Sequence, residues 1–271
     1  ADDGGDGDDD EGEETILAAV SDEERLRHRD FATLDDAELR RLRRLFAQIR
    51  LAPPPRTARR TIRHRHGDQL DLRRTLGRAH RTAGDAVTRV HRRRRTQPRR
   101  LVLLCDISGS MEPYSRAYLQ LLHSAVGGAR AEAFVFATRL TRLTRMLRTR
   151  DPDLALHQAG QAAPDWSGGT RIGLALQRFL DEYGRRGMAR GAVVVIVSDG
   201  WERGDPEHLG EQMARLKRLA HRIVWINPRS ANPRYEPLVG GIAAALPSID
   251  TFVSGHSMAA LDEVLNAIAE A

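Results

Sequence analysis

Three short polar segments carry the residues whose types and spacing suggest chemistry. Asp106-Ile107-Ser108-Gly109-Ser110-Met111 follows the apolar run Leu101–Cys105, and Ser198-Asp199-Gly200 follows the apolar run Ala192–Val197. Between them, Ser167-Gly168-Gly169-Thr170 precedes an amphipathic stretch. Asp106, Ser108, Ser110, Thr170 and Asp199 together offer two carboxylates and three hydroxyls, all hard oxygen donors. No His/Cys set has zinc spacing, so the donor chemistry suits Mg²⁺, Mn²⁺ or Ca²⁺ over softer metals. Either aspartate alone would pass as a helix cap; the five-part set makes the case for a metal. Gly109 is expected to let its loop turn tightly and bring Ser108 and Ser110 to one side. Gly168 and Gly169 are expected to let the Thr170 loop approach closely, and Thr170 to cap the following helix as well.

These loops must be held by a scaffold, and its pattern is legible after Pro98. Leu101–Cys105 and Ala192–Val197 are continuous apolar runs, as in strands buried on both faces. Strands are also expected at Ala133–Ala137, Leu140–Leu147, Ile223–Ile226 and Ile249–Val253, the first two being candidates for a hairpin with an antiparallel edge. Helices are expected at Tyr114–Val126, Asp153–Gln161, Ile172–Tyr183, Leu209–Ala220, Tyr235–Leu246 and Met258–Ala269. This alternation specifies an α/β fold: a doubly wound, mostly parallel sheet with helices on both faces. Ligands of such sheets sit at the carboxyl ends of the strands, where the polar segments fall.

The first hundred residues read differently. Residues 1–14 hold nine acidic side chains and no basic one, and are expected to form a disordered tail. Asp6, Asp8 and Asp10 alternate as in a calcium loop, but Glu11 and Leu17 stand where an EF-hand needs glycine and glutamate. Residues 15–97 form a helical, arginine-rich region. Its helical pattern runs from Thr15 to Leu51, with Thr33 as the expected N-cap ahead of Asp35 and Asp36, and Pro53-Pro54-Pro55 as the stop. Leu70, Leu72 and Leu76 suggest a short helix; Val87 and Val90 suggest an extended piece. His64 and His66 are placed on a basic loop.

Residues 51–100 contain sixteen arginines against three aspartates, which invites a nucleic-acid reading. No aromatic residue is present there to stack a base, which argues against it. Lys217 is the only lysine, so the arginine excess also reflects a general preference for arginine over lysine. The single cysteine, Cys105, fits a reducing compartment and a place in the core. With no basic n-region, no apolar h-region and no long apolar stretch, a cytoplasmic location is expected.

The D-x-S-x-S of Asp106, Ser108 and Ser110, followed by Thr170 and Asp199, resembles the metal-ion-dependent adhesion site (MIDAS) of von Willebrand factor type A (VWA) domains. The resemblance covers residues 98–271. It implies that Ser108, Ser110 and Thr170 contact the ion directly, that Asp106 and Asp199 act directly or through water, and that a partner's carboxylate fills the open position. DFATLDDAELRRLRRLF, SDGWERGDPEHL and the tail from WINP to SGHSM are similar to the CoxE-like family of bacterial proteins. That resemblance implies a MoxR-type AAA+ ATPase partner and a metalloenzyme client, with carbon monoxide dehydrogenase-like molybdenum enzymes as the notable case. The expected function is a Mg²⁺-dependent protein-binding adaptor. Alternatives are an arginine-rich nucleic-acid-binding protein and a metal-independent scaffold. Without a G-x-x-x-x-G-K-[ST] loop, a G-x-G-x-x-G turn or a G-x-S-x-G elbow, no enzyme is expected. Trp201 either covers the metal rim or packs on a helix; Glu202, Arg203 and Asp205 are expected to be solvated loop residues.

Overall fold

The structure, a computed structural model, describes residues 24–49, 51–81, 89–149, 151–162, 169–231 and 240–270. The acidic tail 1–14, the apolar face of Ile16, Leu17 and Val20, Val87, Ser167, Gly168 and the start of the helix expected at Tyr235 lie outside the described residues. Among the described residues no helix is long and apolar enough to cross a membrane.

The packing divides the chain into two compact units, one of residues 1–53 with 100–271 and one of residues 54–99. In chain order the described helices are α1 (Asp36–Gln48), α2 (Leu72–Ala79), α3 (Glu112–Gly128), α4 (Pro152–Ala162), α5 (Ile172–Phe179), α6 (Pro206–Lys217), α7 (Gly240–Ala245) and α8 (Met258–Ala269). The strands are β1 (Pro55–Arg63), β2 (Gln69–Leu70), β3 (His91–Pro98), β4 (Leu101–Asp106), β5 (Glu132–Phe136), β6 (Leu140–Arg142), β7 (Val193–Val197), β8 (Arg222–Ile226) and β9 (Thr251–Val253).

The larger unit is built on a six-stranded sheet of order β6-β5-β4-β7-β8-β9. Every pairing is parallel except the antiparallel edge of β5 with β6. Because β4 and β7 are buried along their whole length, their alternate residues feed two separate cores. Leu101, Leu103 and Cys105, with Val193, Val195 and Val197, face the side covered by α3 and α8. Val102 and Leu104, with Val194, Ile196 and Trp225, face the side covered by α5 and α6. This is the doubly wound sandwich that the apolar runs require.

The N-terminal helical segment belongs to the first of these cores. Phe31, Leu39, Leu42 and Phe46 are buried there, and the Phe31 ring meets Phe46 at 6.0 Å and Tyr118 edge-on at 6.2 Å. Asp35, and not Thr33, is the N-cap of α1: its side chain accepts the Glu38 N–H while the Glu38 carboxylate accepts the Asp35 N–H. Thr33 instead closes a short 3-10 turn, Phe31–Thr33, whose own cap is Asp30. The reciprocal pair satisfies two backbone donors at once, which a lone threonine does not.

The smaller unit holds a three-stranded antiparallel sheet of order β1-β3-β2. The sequence reading places no strand over 55–63 or 91–98, because neither segment alternates apolar and polar residues. Their register, from Pro55 opposite Pro98 to Arg63 opposite Arg92 with a bulge near residues 57–61, comes from the backbone ladder. The turn at Gly67 lies flat on β3, where a Cβ would stand 2.4 Å from the Arg92 carbonyl oxygen.

Candidate metal centre at the strand ends

Strand β4 sits at the point where the chain reverses its winding: β5 lies on one side and β7 on the other. The loops leaving β4 and β7 therefore diverge and open a crevice at their carboxyl ends. Cys105 is in register with Val197, so Asp106 and Ser198 come next to each other one residue later. The Ser198 hydroxyl donates to Asp106 Oδ2 at 2.8 Å and accepts the Gly200 N–H at 3.1 Å.

The other oxygen of Asp106 is equally engaged. Oδ1 accepts the Ser108 N–H at 2.9 Å and the Thr170 hydroxyl at 3.3 Å. The Ser108 and Ser110 hydroxyls lie 3.3 Å apart. Asp106, Ser108, Thr170 and Asp199 are all buried. The Asp106 carboxyl is raised to a pKa of about 7, chiefly by burial and slightly by the Asp199 charge, against the lowering pull of the Ser108 N–H and the Ser198 and Ser108 hydroxyls. Two of the sequence-chosen residues, Ser108 and Thr170, thus hydrogen-bond to Asp106, Ser110 joins them through Ser108, and Asp199 reaches Asp106 through its charge.

Asp199 has two partners of its own. Its Oδ1 accepts the Trp201 N–H at 3.1 Å, and its Oδ2 pairs with the Arg229 guanidinium at 3.3 Å. The turn that follows depends on Gly200, whose φ of 81° lies in the left-handed region and whose absent Cβ would approach Ile242 Cβ to 2.8 Å. Buried Asn227 fixes the neighbouring loop. Its amide donates to the Asp199 carbonyl at 3.2 Å, and its side-chain oxygen accepts the Arg229 N–H at 3.0 Å. Among the described residues no three His, Cys, Asp or Glu side chains converge, so this donor set is hydroxyl-rich.

Several local expectations need correction. Gly109 has no positive φ, and a Cβ there would meet open space. The 3-10 turn Gly109–Met111, closed by Met111 N–H to the Ser108 carbonyl at 2.9 Å, brings the two serines together instead. Thr170 does not cap α5. Glu202 does that work: its carboxylate accepts the Gly173 N–H at 2.8 Å and that of Gly204 at 2.6 Å, so it is no merely solvated loop residue. Freed from capping, Thr170 turns its hydroxyl to Asp106. Trp201 is 57% exposed beside Asp199 and is not packed into a core. Cys105 is fully buried, and burial pushes its thiol far above the ordinary range, as befits a core residue.

The five-residue sequence pattern does not include Ser198, Asn227 or Arg229. Ser198 was visible as the first residue beyond an apolar strand. Asn227 stands in the same position after β8, whereas nothing in the local pattern of Arg229 distinguishes it from the other arginines.

A family model described as "VWA domain containing CoxE-like protein" matches residues 40–261. No curated protein matches the chain. Among solved structures, BatB from Bacteroides thetaiotaomicron is 15% identical, with 63% of this chain and 97% of that one covered, at a TM-score of 0.41. A von Willebrand factor type A protein from Catenulispora acidiphila is 17% identical, with 65% and 43% covered, at 0.38. Proximal thread matrix protein 1 from the mussel byssus is 13% identical, with 63% and 46% covered, at 0.42. The chain thus spans about half the length of the mussel protein.

Proposed function

Because the chain belongs to the family of VWA domain-containing CoxE-like proteins, we propose that it is a Mg²⁺-dependent protein-binding adaptor and not an enzyme. The observation that carries this reading is the oxygen cluster of buried Asp106, Ser108 and Thr170 with half-buried Ser110, beside Asp199, at the crevice between β4 and β7. A buried carboxylate whose ionised form is disfavoured by its surroundings gains from a nearby cation. The residues fit a hard divalent ion. Ser108, Ser110 and Thr170 would hold it directly. Asp106, with both oxygens already accepting hydrogen bonds, would act through water. Asp199 would be shared between the ion and Arg229. Bound Mg²⁺, Mn²⁺ or Ca²⁺ would supply a positive centre for an incoming carboxylate.

Residues 1–271 contain no phosphate-binding loop, so this segment does not itself supply the energy for remodelling. The family assignment supports a MoxR-type AAA+ ATPase in that role. This chain would link it to a metalloenzyme client in the cytoplasm, a carbon monoxide dehydrogenase-like molybdenum enzyme being one case. Losing a charge-assisted contact at such an interface costs about 2–5 kcal/mol, or roughly thirty- to several-thousand-fold in affinity.

The test is co-purification of the chain with its genome-neighbouring ATPase and client, using wild type, Asp199→Ala and Thr170→Ala, each in Mg²⁺ or EDTA. Capture by wild type in Mg²⁺ alone is expected. Equal capture by every variant in EDTA would reduce any ion to a structural role and remove the adhesion mechanism. Calorimetry with Mg²⁺ on Asp106→Ala provides the direct check, with binding expected to vanish while the far-ultraviolet circular dichroism is retained.

A further inference from the structure

A second site lies in the unit of residues 54–99. Helix α2 is pinned by its buried face: the Thr75 hydroxyl accepts the Val90 N–H at 3.0 Å, and the Asp71 N–H donates to the Val90 carbonyl at 2.7 Å. Between this helix and strands β1 and β3 runs a cleft of about 630 Å³. Arg63 and Arg92, paired across the β1–β3 ladder, line one wall. Arg73, Arg74, Arg78 and Arg81 line the other. Among the described residues Asp71 is the single carboxylate lining the cleft, and it is already used as the α2 N-cap and as the partner of Arg74 at 3.7 Å. Arg92 Nε is buried with no hydrogen-bond partner. Six guanidinium groups against one carboxylate, with a donor left unsatisfied, form a surface that is costly without an anion.

Exposed aliphatic side chains in the same unit identify the kind of anion. Leu72 and Leu76, one helical turn apart on the outer face of α2, are 64% and 60% exposed. Ile62 in the cleft wall and Leu70 just before α2 are also exposed. Aliphatic side chains contribute nothing to a phosphate backbone, and residues 54–99 contain no Phe, Tyr or Trp on which a base could stack. They do suit a protein segment that brings its own apolar residues together with carboxylates. We propose that this cleft binds an acidic segment of a partner protein, its carboxylates paired with the cleft arginines and its aliphatic side chains seated on Leu72 and Leu76. This inference does not depend on the metal centre.

The experiment uses the full chain and a fluorescent glutamate-rich peptide with leucines at helical spacing, read by anisotropy. Two control probes carry the same charge: the peptide with serine for leucine, and oligothymidylate. The leucine peptide should bind most tightly and weaken as salt rises. Arg73→Glu with Arg81→Glu, both exposed, should lower its affinity by about ten-fold or more, because two attractions become repulsions. Leu72→Ser with Leu76→Ser should weaken the leucine peptide and leave oligothymidylate unchanged. Both double variants alter exposed side chains, so an unchanged circular dichroism spectrum and melting curve will show that the fold is kept. Equal binding of the two peptides would overturn the apolar half of the proposal. Tighter binding of oligothymidylate would replace it with a nucleic-acid site. Failure of the leucine peptide to bind, or its indifference to the arginine reversals, would refute it.

Discussion

Strands β3 and β4 are separated by two arginines and obey opposite rules. Every residue of β4 is buried, and the strand is held by apolar contact on both faces. Strand β3, HRRRRTQP, has no fully buried residue and is held mainly by its ladders to β1 and β2. The difference teaches that being a strand and being core are separate properties. Apolar burial fixes β4 in one register, since a slip of one residue would exchange the contents of two cores. For β3 both faces are polar, so backbone pairing and the turn at Gly67 must supply what side-chain burial cannot. Chemistry follows the same division. The buried sheet aims a few oxygens into a crevice with high precision, while the polar sheet spreads charge over a wide surface.

The largest effect that would break this comparison is a core deletion. Leu103→Ala is expected to cost about 2–5 kcal/mol, whereas Arg94→Ala on β3 should stay within about 0.5 kcal/mol. Urea denaturation of both variants checks this, and a costly Arg94 substitution would mean that β3 is held by more than its ladder.

A smaller effect comes from the carboxylate at the end of β4. The folded chain holds the Asp106 proton up to about pH 7, against an ordinary value of 3.8. Between those values the folded state binds more protons than the unfolded one, so stability falls as pH rises. The contribution is fully present below about pH 4 and is lost as pH rises through about 7, at about 1.4 kcal/mol per pH unit. In EDTA, the melting temperature of wild type should therefore drop relative to Asp106→Asn between pH 5 and about pH 8. Parallel profiles would show that Asp106 is ionised at little cost without a metal. If the proposed ion binds, Mg²⁺ should restore the wild type most at the alkaline end, because metal and proton compete for the same carboxylate.

The smallest expected effect sharpens the roles within the site. Glu202→Ala removes the acceptor for the Gly173 and Gly204 N–H groups and should cost about 1 kcal/mol. Thr170→Val should disturb α5 less, because its hydroxyl is turned to Asp106. Thermal denaturation of the two variants ranks them, and a larger loss for Thr170→Val would return the capping role to it.

Much of the larger unit was legible in the sequence for a physical reason. Leu101–Cys105 and Ala192–Val197 announced buried parallel strands because few other structures hide so continuous an apolar run. The polar residues after them announced the crevice because the chain must leave the sheet there. The helix expected at Met258–Ala269 has those bounds in the structure, which adds Ser257 as its N-cap. Composition and short motifs thus determined the α/β class, the order of the elements, and the choice of Asp106, Ser108, Ser110, Thr170 and Asp199 as the residues to watch.

What tertiary structure decided is pairing between segments distant in sequence. Whether Thr170 caps a helix or faces Asp106 depends on whether Glu202, thirty-two positions later, reaches the same N–H groups. Ser198 is tied to Asp106 across ninety-two residues, and Arg229 to Asp199 across thirty. The N-terminal helix joins the α3 and α8 core because Phe31 meets both Phe46 and Tyr118, a contact that no periodicity can specify. The β1–β3 ladder is the extreme case. Its backbone hydrogen bonds are the same whatever the side chains, so an arginine-rich strand leaves no apolar signature and becomes visible only when its partner is in place.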